Sequence, residues 1–70
     1  MLTNKQKEVY DFICFFRKEN GIPPTIREIS LGTYTSDAYA SVCLQALETE
    51  GYIKREKGKR RNIVVLRKVE

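Results

Sequence analysis

The chain has 70 residues, 41% of them hydrophobic and 31% charged, a composition that predicts one small folded domain over residues 1–70 and argues against disorder or a second domain. It has no histidine and only Cys14 and Cys43 as cysteines, so we expect neither a zinc site nor a disulfide framework. The first residues lack the apolar run of a signal peptide, and no run of 18 apolar residues follows, so we expect a cytoplasmic protein without a membrane segment.

The first predicted helix begins after Thr3, because Thr3 and Gln6 have the spacing of a capping box. It is predicted to end at Asn20 and Gly21, since glycine tolerates the left-handed conformation that closes a helix and the prolines that follow cannot continue one. Four apolar residues at helical spacing are predicted to face the core: Val9, Phe12, Ile13 and Phe16.

Cys14 and Phe15 fall off this apolar stripe, so we expect both to be partly exposed. An exposed phenylalanine can be a contact in a homodimer or with a partner protein. Single exposed apolar residues are common, however, and usually have no function. Both interpretations stay open at this point.

A second capping box at Thr25 and Glu28 opens a short second helix. Gly32 is expected to break this helix, and residues 32–35 are expected to form a turn. The apolar residues expected to be buried in it are Ile29 together with Ile26 or Leu31.

Ser36 is a good N-cap for a third helix, which Gly51 is expected to terminate. The residues at helical spacing that should face inward are Ala40, Cys43, Leu44 and Leu47. Two helices joined by a tight turn are typical of a helix-turn-helix, in which the second of the two lies in the major groove of DNA.

The pattern changes after Gly51, where two β-prone runs, residues 52–56 and 61–66, flank the turn residues 57–60. This arrangement predicts a β-hairpin over residues 52–66, which we call the wing. The predicted fold is therefore α+β, a three-helix winged helix-turn-helix with a C-terminal β-hairpin wing.

Charge is distributed unevenly between the two parts of the chain. Residues 1–50 carry five basic and seven acidic side chains, a net −2, whereas residues 51–70 carry eight and two, a net +6. Six basic residues of the wing are predicted to contact DNA phosphates or the minor groove: Lys54, Arg55, Lys57, Lys59, Arg60 and Arg61. A charged turn is by itself more often a solvated surface, but behind a helix-turn-helix pattern the DNA interpretation is the better one.

The outward surface of the third helix is the predicted base-reading face. Removing the inward positions from its first turns leaves Ser36, Asp37, Ala38, Tyr39, Ser41, Val42 and Gln45. Gln45 can pair with adenine, Ser41 can donate or accept, Tyr39 can reach a phosphate or stack, and the apolar side chains Ala38 and Val42 can meet a thymine methyl. Asp37 is assigned to the helix N-terminus. In the second helix, Thr25 and Arg27 are predicted to contact the DNA backbone.

Three segments resemble a known family: Leu2-Thr3-x-x-Gln6-x-Glu8-Val9-Tyr10-Asp11-Phe12-Ile13, Asn20-Gly21-Ile22-Pro23-Pro24-Thr25-x-x-Glu28-Ile29, and Leu44-Gln45-Ala46-Leu47-x-x-x-Gly51-Tyr52-Ile53. They are similar to the N-terminal DNA-binding domain of the SOS repressor LexA, over about residues 2–66. The resemblance implies a winged helix-turn-helix fold and operator binding.

The sequence also departs from that family. It stops where the family continues into a self-cleaving protease and dimerisation domain, so autoproteolysis is not carried over. The segment 30–35 is one residue shorter than the family's turn. Where the family has Asn and two Glu after the N-cap serine, this chain has Ala38, Ser41 and Val42. The operator of the family is therefore not assumed for this chain.

The leading hypothesis is a sequence-specific double-stranded-DNA-binding transcriptional regulator of repressor type, of a size typical of mobile elements or phage. It acts as a homodimer or with a partner protein. The alternatives are a protein-interaction module and a replication accessory that holds single-stranded DNA through Tyr34, Tyr39 or Tyr52. No catalytic motif, phosphate-cradling loop or small-molecule site is evident, so we expect no enzyme activity, no cofactor and no metal.

Overall fold

The structure, a computed structural model, describes residues 2–66. Within this range the elements are α1 (Asn4–Asn20), α2 (Ile26–Gly32), α3 (Asp37–Thr49), β1 (Ile53–Arg55) and β2 (Ile63–Val65), with β1 and β2 forming an antiparallel sheet. This is the predicted α+β winged helix-turn-helix, so the predicted fold class is confirmed. The predicted domain spans residues 1–70, of which residue 1 and residues 67–70 lie outside the described range.

Both ends of α1 are where the sequence predicts them. The Thr3 hydroxyl accepts from the backbone N–H of Gln6 at 3.1 Å, and the side-chain oxygen of Gln6 accepts from the backbone N–H of Thr3 at 3.0 Å. At the other end Gly21 has φ of 75° and donates its N–H to the Arg17 carbonyl at 2.8 Å. These interactions satisfy backbone groups that a helix end leaves unpaired.

The buried face of α1 differs in part from the prediction. Val9 and Ile13 are fully buried, but their buried neighbour is Tyr10, whose ring packs edge-on against Tyr52 with centroids 5.8 Å apart. The other two predicted core residues, Phe12 and Phe16, are half-buried. Tyr10 lies three residues before Ile13 and therefore on the same face of the helix, so its burial fits helical spacing although the predicted stripe did not include it.

The burial predicted for α2 beyond Ile29 was wrong. Ile29 is fully buried, but Ile26 is 37% exposed and Leu31 is 67% exposed. The second buried residue of α2 is Ser30, whose hydroxyl donates to the Asp37 carboxylate at 2.5 Å. Leu31 is two residues beyond Ile29, roughly 200° around the helix, and therefore faces away from the core.

Gly32 was expected to break α2. It is instead the last residue of that helix. A Cβ at this position would overlap the ring of Phe12, so the missing side chain allows α1 and α2 to approach closely. The helix is capped by buried Thr33, whose N–H donates to the Ile29 carbonyl at 2.9 Å. The left-handed turn residue is the exposed Tyr34, with φ of 57°.

The third helix and its inward face follow the prediction. Ser36 is the N-cap, and its hydroxyl accepts from the Tyr39 amide at 3.0 Å. All four predicted inward residues are buried: Ala40, Cys43, Leu44 and Leu47. Burial raises the pKa of the Cys43 thiol.

The hairpin strands are shorter than the predicted β-prone runs. Ile53 pairs with Val65 and Arg55 pairs with Ile63, and Ile53 and Ile63 are buried in the same core as the helices. The sheet therefore closes the core, and residues 56–62 form the connecting loop of the wing.

Cys14 and Cys43 are both free thiols. In residues 2–66, no group of three or more His, Cys, Asp or Glu side chains is arranged to hold a metal ion. None of the helices in that range is long and apolar enough to cross a membrane.

Candidate nucleic-acid interface

The predicted base-reading face is an exposed surface along α3. Its members Ser36, Asp37, Ala38, Tyr39, Val42 and Gln45 are exposed, and Ser41 is half-buried. Val42 is 60% exposed, so this face presents an apolar side chain to solvent. The face contains no basic residue, and its one acidic residue is Asp37.

Asp37 connects the start of α3 to α2. Its carboxylate lies 3.4 Å from the Nε atom of Arg27 and accepts from the Ser30 hydroxyl at 2.5 Å. A carboxylate in the first turn also interacts favourably with the helix dipole. These contacts agree with the assignment of Asp37 to the N-terminus of α3 rather than to DNA. They also bring Arg27 next to that N-terminus.

The basic residues of the wing differ in their surroundings. In the part of the chain that the structure describes, Lys54, Lys57 and Arg60 are exposed and form no ion pair. Lys59 pairs with Glu56 at 3.5 Å, an exposed contact that salt and water weaken. The remaining two, Arg55 and Arg61, have carboxylate partners on the helices.

Arg61 binds the first turn of α2. Its Nη1 and Nη2 atoms donate to the two carboxylate oxygens of Glu28 at 2.7 and 3.0 Å, and Nη1 also donates to the Pro23 carbonyl at 3.0 Å. The guanidinium lies over the Phe16 ring, 5.9 Å from its centroid. The hydrogen bond from Arg61, followed by that from the Thr25 amide, lowers the pKa of Glu28 from 4.5 to about 2.

Arg55 binds α3. Its Nε and Nη2 atoms lie 3.3 and 3.2 Å from one carboxylate oxygen of Glu48, while its backbone N–H donates to the other oxygen at 3.2 Å. Nη2 also donates to the amide oxygen of Gln45 at 3.2 Å. The amide nitrogen of Gln45 lies 3.4 Å from the Thr49 hydroxyl of the same helix, so the side chain of this predicted base-reading residue has one contact with the wing and one within α3.

A cleft of about 460 Å³ separates the first turn of α2 from the wing. Its lining residues are Thr25, Ile26, Arg27, Arg55, Lys59, Arg60 and Asn62. Both predicted contacts of α2 and three of the six predicted wing contacts, Arg55, Lys59 and Arg60, therefore face one cleft. Lys57 lines a different cleft, and Lys54 and Arg61 do not line this one. Through the contacts of Arg27 with Asp37 and of Arg55 with Gln45, the cleft between α2 and the wing is continuous with α3.

Cys14 and Phe15 belong to a different part of the surface. Cys14 is half-buried and lines a separate cleft of about 300 Å³ with Arg17, Lys18 and Val65. Phe15 is 61% exposed. The predicted partial exposure of both residues is confirmed, while their role in a protein interface stays a prediction.

Sequence reasoning missed the connections that Glu28 and Glu48 make between the helices and the wing. Glu28 was assigned only to its capping box, and Glu48 was not singled out. Their partners Arg61 and Arg55 are 33 and seven residues away in sequence. The available signal was an acidic residue on each helix beside a strongly basic hairpin, which does not identify the pairs.

The sequence matches the family model described as the LexA DNA binding domain over residues 1–62. It is 43% identical over 68 residues to the LexA repressor of Desulfatibacillum aliphaticivorans, covering 94% of this chain and 33% of that protein. It is 42% identical over 69 residues to the LexA repressor of Thermotoga neapolitana, covering 99% of this chain and 35% of that protein.

A third relative is the LexA repressor of Leptospira interrogans serovar Lai, 44% identical over 68 residues that cover 94% of this chain and 32% of that protein. The chain thus spans about a third of the length of these relatives. Nothing in these similarities supports the expected origin on a mobile element or phage.

Proposed function

The chain belongs to the LexA DNA-binding domain family, and on that premise we propose that it is a sequence-specific double-stranded-DNA-binding protein that acts as a transcriptional repressor. In this proposal α3 lies in the major groove, and the wing contacts phosphates or the minor groove. The first turn of α2, with Thr25 and Arg27, contacts the DNA backbone. The chain acts without a catalytic step or a cofactor.

The observation that carries the proposal is the continuity of one surface. The cleft between α2 and the wing joins the face of α3 through the Arg27–Asp37 and Arg55–Gln45 contacts. A neutral, exposed helix face beside a basic hairpin suits DNA, because base edges are read by hydrogen bonds and apolar contacts while phosphates attract cations.

Base reading is assigned to the exposed face of α3. Gln45 pairs with adenine, Ser41 donates or accepts, and Ala38 and Val42 meet thymine methyl groups. Tyr39 reaches a phosphate or stacks on a base. Because α3 carries no Lys or Arg, readout of guanine by a bidentate arginine from this helix is not expected.

A single domain of this size offers few base contacts, so specific binding requires a second contribution. Two copies on half-sites about one helical turn apart would supply it, as would a partner protein on the DNA. Both arrangements belong to the proposal and differ in the stoichiometry of the complex.

The test is a binding titration by fluorescence anisotropy, with a labelled 24-base-pair duplex and its single strands, over a series of KCl concentrations. If four to six phosphates are neutralised, log affinity should fall against log salt with a slope of about −4 to −5. The duplex should bind more tightly than either single strand. Absence of duplex binding at low salt would contradict the proposal and favour a protein-interaction module.

Two tyrosines favour single-stranded DNA as the second candidate ligand. Tyr34 is 95% exposed and Tyr39 is 43% exposed, and exposed aromatic rings provide stacking platforms for unpaired bases. Tyr52, the third tyrosine considered, is half-buried and its ring packs against Tyr10. Tighter binding of a single strand than of the duplex in the same titration would support this candidate.

A further inference from the structure

Two arginines of the wing bind the helices of the helix-turn-helix. Arg61 forms a two-pronged contact with Glu28 of α2, at 2.7 and 3.0 Å. Arg55 contacts Glu48 of α3 through its side chain and its backbone amide, at 3.2 to 3.3 Å. One arm of the hairpin is thereby held to each helix.

A hairpin of this kind needs such contacts to keep its orientation. Each strand has only three residues, and an isolated two-stranded hairpin is at best marginally stable in water. Buried Ile53 and Ile63 fix the base of the wing in the core. The loop of residues 56–62 extends beyond them, so its direction depends on interactions made near the ends of the strands.

The donors of Arg61 are largely directed toward the protein. Nη1 and Nη2 both bind Glu28, Nη1 also binds Pro23, and the ring of Phe16 lies beneath the guanidinium. Moving Arg61 onto a phosphate would separate it from Glu28 and leave that carboxylate without a cationic partner beside a polyanion. A bidentate arginine–carboxylate contact also fixes geometry, which a single point charge does not do.

We propose that Arg61 and Arg55 are positioning residues, which hold the wing against α2 and α3 through Glu28 and Glu48 and leave the phosphate contacts to the unpaired cations at the tip. This inference rests on the proposed DNA-binding function. It separates five of the six basic residues predicted as DNA contacts into two groups with different effects, the unpaired Lys54, Lys57 and Arg60 and the positioning Arg55 and Arg61, while Lys59, which pairs with Glu56, belongs to neither. The unpaired residues set the salt dependence of binding, and the positioning residues set how well the wing is oriented before binding.

Glu28→Gln provides a test in which simple electrostatics and the proposal predict opposite signs. The change removes a negative charge beside the DNA surface, so electrostatics alone predicts tighter DNA binding. Glutamine preserves the capping box, as Gln6 shows in α1. What is lost is the ionic partner of Arg61.

The matched control is Glu56→Gln, which removes the same charge from the loop of the wing, where within residues 2–66 the one ion pair of Glu56 is with Lys59. The probe is a mixed-sequence 24-base-pair duplex between 50 and 200 mM KCl. We expect Glu28→Gln to weaken binding about threefold to tenfold, because the wing must be ordered on the DNA, with the salt slope unchanged. Glu56→Gln should strengthen binding.

Two more variants extend the comparison. Glu48→Gln should weaken binding as Glu28→Gln does. Arg61→Lys retains the charge but loses the two-pronged geometry, so it should also weaken binding without changing the salt slope. If Glu28→Gln binds as tightly as the unmodified protein or more tightly, or if Arg61→Lys leaves binding unchanged, the positioning role is refuted.

A second measurement does not depend on DNA. Two backbone hydrogen bonds cross the hairpin. The Glu56 N–H donates to the Asn62 carbonyl at 2.9 Å, and the Leu66 N–H donates to the Tyr52 carbonyl at 2.8 Å. In Glu28→Gln the hydrogen exchange of these two amides should accelerate by about fivefold or more, while the core amides of α1 keep their exchange rates. Unchanged exchange at both wing amides would overturn the inference. If the unmodified protein fails to bind DNA, the proposed function fails, and the exchange measurement still decides whether these residues hold the wing.

Discussion

The salt dependence of DNA binding should depend on the two unpaired cations of the wing loop, Lys57 and Arg60. Replacing both by alanine removes two phosphate contacts, and each contact contributes about −0.9 to the slope of log affinity against log salt. The slope should therefore change from about −4.5 to about −2.7. Between 50 and 200 mM KCl, affinity would then fall about 40-fold in the variant, against about 500-fold in the unmodified protein.

The assay is fluorescence anisotropy with a 24-base-pair duplex at five or more KCl concentrations. The control is Arg17→Ala with Lys18→Ala, which removes one arginine and one lysine from the separate cleft between α1 and β2. The control protein has the same net charge as the wing variant and should keep the slope of the unmodified protein. A wing variant with an unchanged slope, or a control with an equal loss, would refute the assignment of Lys57 and Arg60 as phosphate contacts.

Three other predictions concern readout, packing and pH. Gln45→Ala should alter preference at one or two base positions in a panel of duplexes, and a uniform loss across the panel would show that Gln45 does not read bases. Gly32→Ala should lower the free energy of unfolding in urea by about 1–3 kcal/mol, because the new methyl group displaces the Phe12 ring; unchanged stability would contradict this packing. The pKa of Glu28 is about 2 in the folded chain and 4.5 without its partners, so its ion pair with Arg61 stabilises the fold above pH 4.5 and is lost as pH falls toward 2. The stability difference between the unmodified protein and Glu28→Gln should shrink over that interval, and a constant difference would count against the pair.

Local signals in the sequence predicted the ends of the helices. The capping boxes at Thr3 and Thr25, the N-cap Ser36 and the terminating Gly21 depend on interactions within four residues, so the sequence contains both partners of each. The inward face of α3 was also predicted in full from the helical spacing of its apolar residues.

The errors arose where burial depends on distant elements. Buried Tyr10 packs against Tyr52, and buried Ser30 donates to the Asp37 carboxylate. Leu31 is more hydrophobic than Ser30 but points away from α3. Gly32 looked like a helix breaker, whereas its lack of a side chain accommodates Phe12. Hydrophobicity and helical period within α1 or α2 do not identify these partners on other elements.

The candidate site was predicted as a set of residues but not as a network. The count of basic side chains located the wing, and subtraction of the inward positions located the exposed face of α3. Which cations have carboxylate partners depends on the docking of the hairpin against two helices, as the contacts of Arg61 and Arg55 show. This distinction separates residues that bind phosphate from residues that orient the wing in our proposals.

Selection of bound duplexes from a random-sequence pool, with the stoichiometry of the selected complex measured, tests the central proposal most directly. A sequence-specific repressor should enrich a short common motif, as one site or as two half-sites about one helical turn apart. The enriched duplex should bind about a thousandfold or more tightly than a scrambled one. A pool that stays random through successive rounds, while duplex binding persists, would contradict sequence-specific readout by α3.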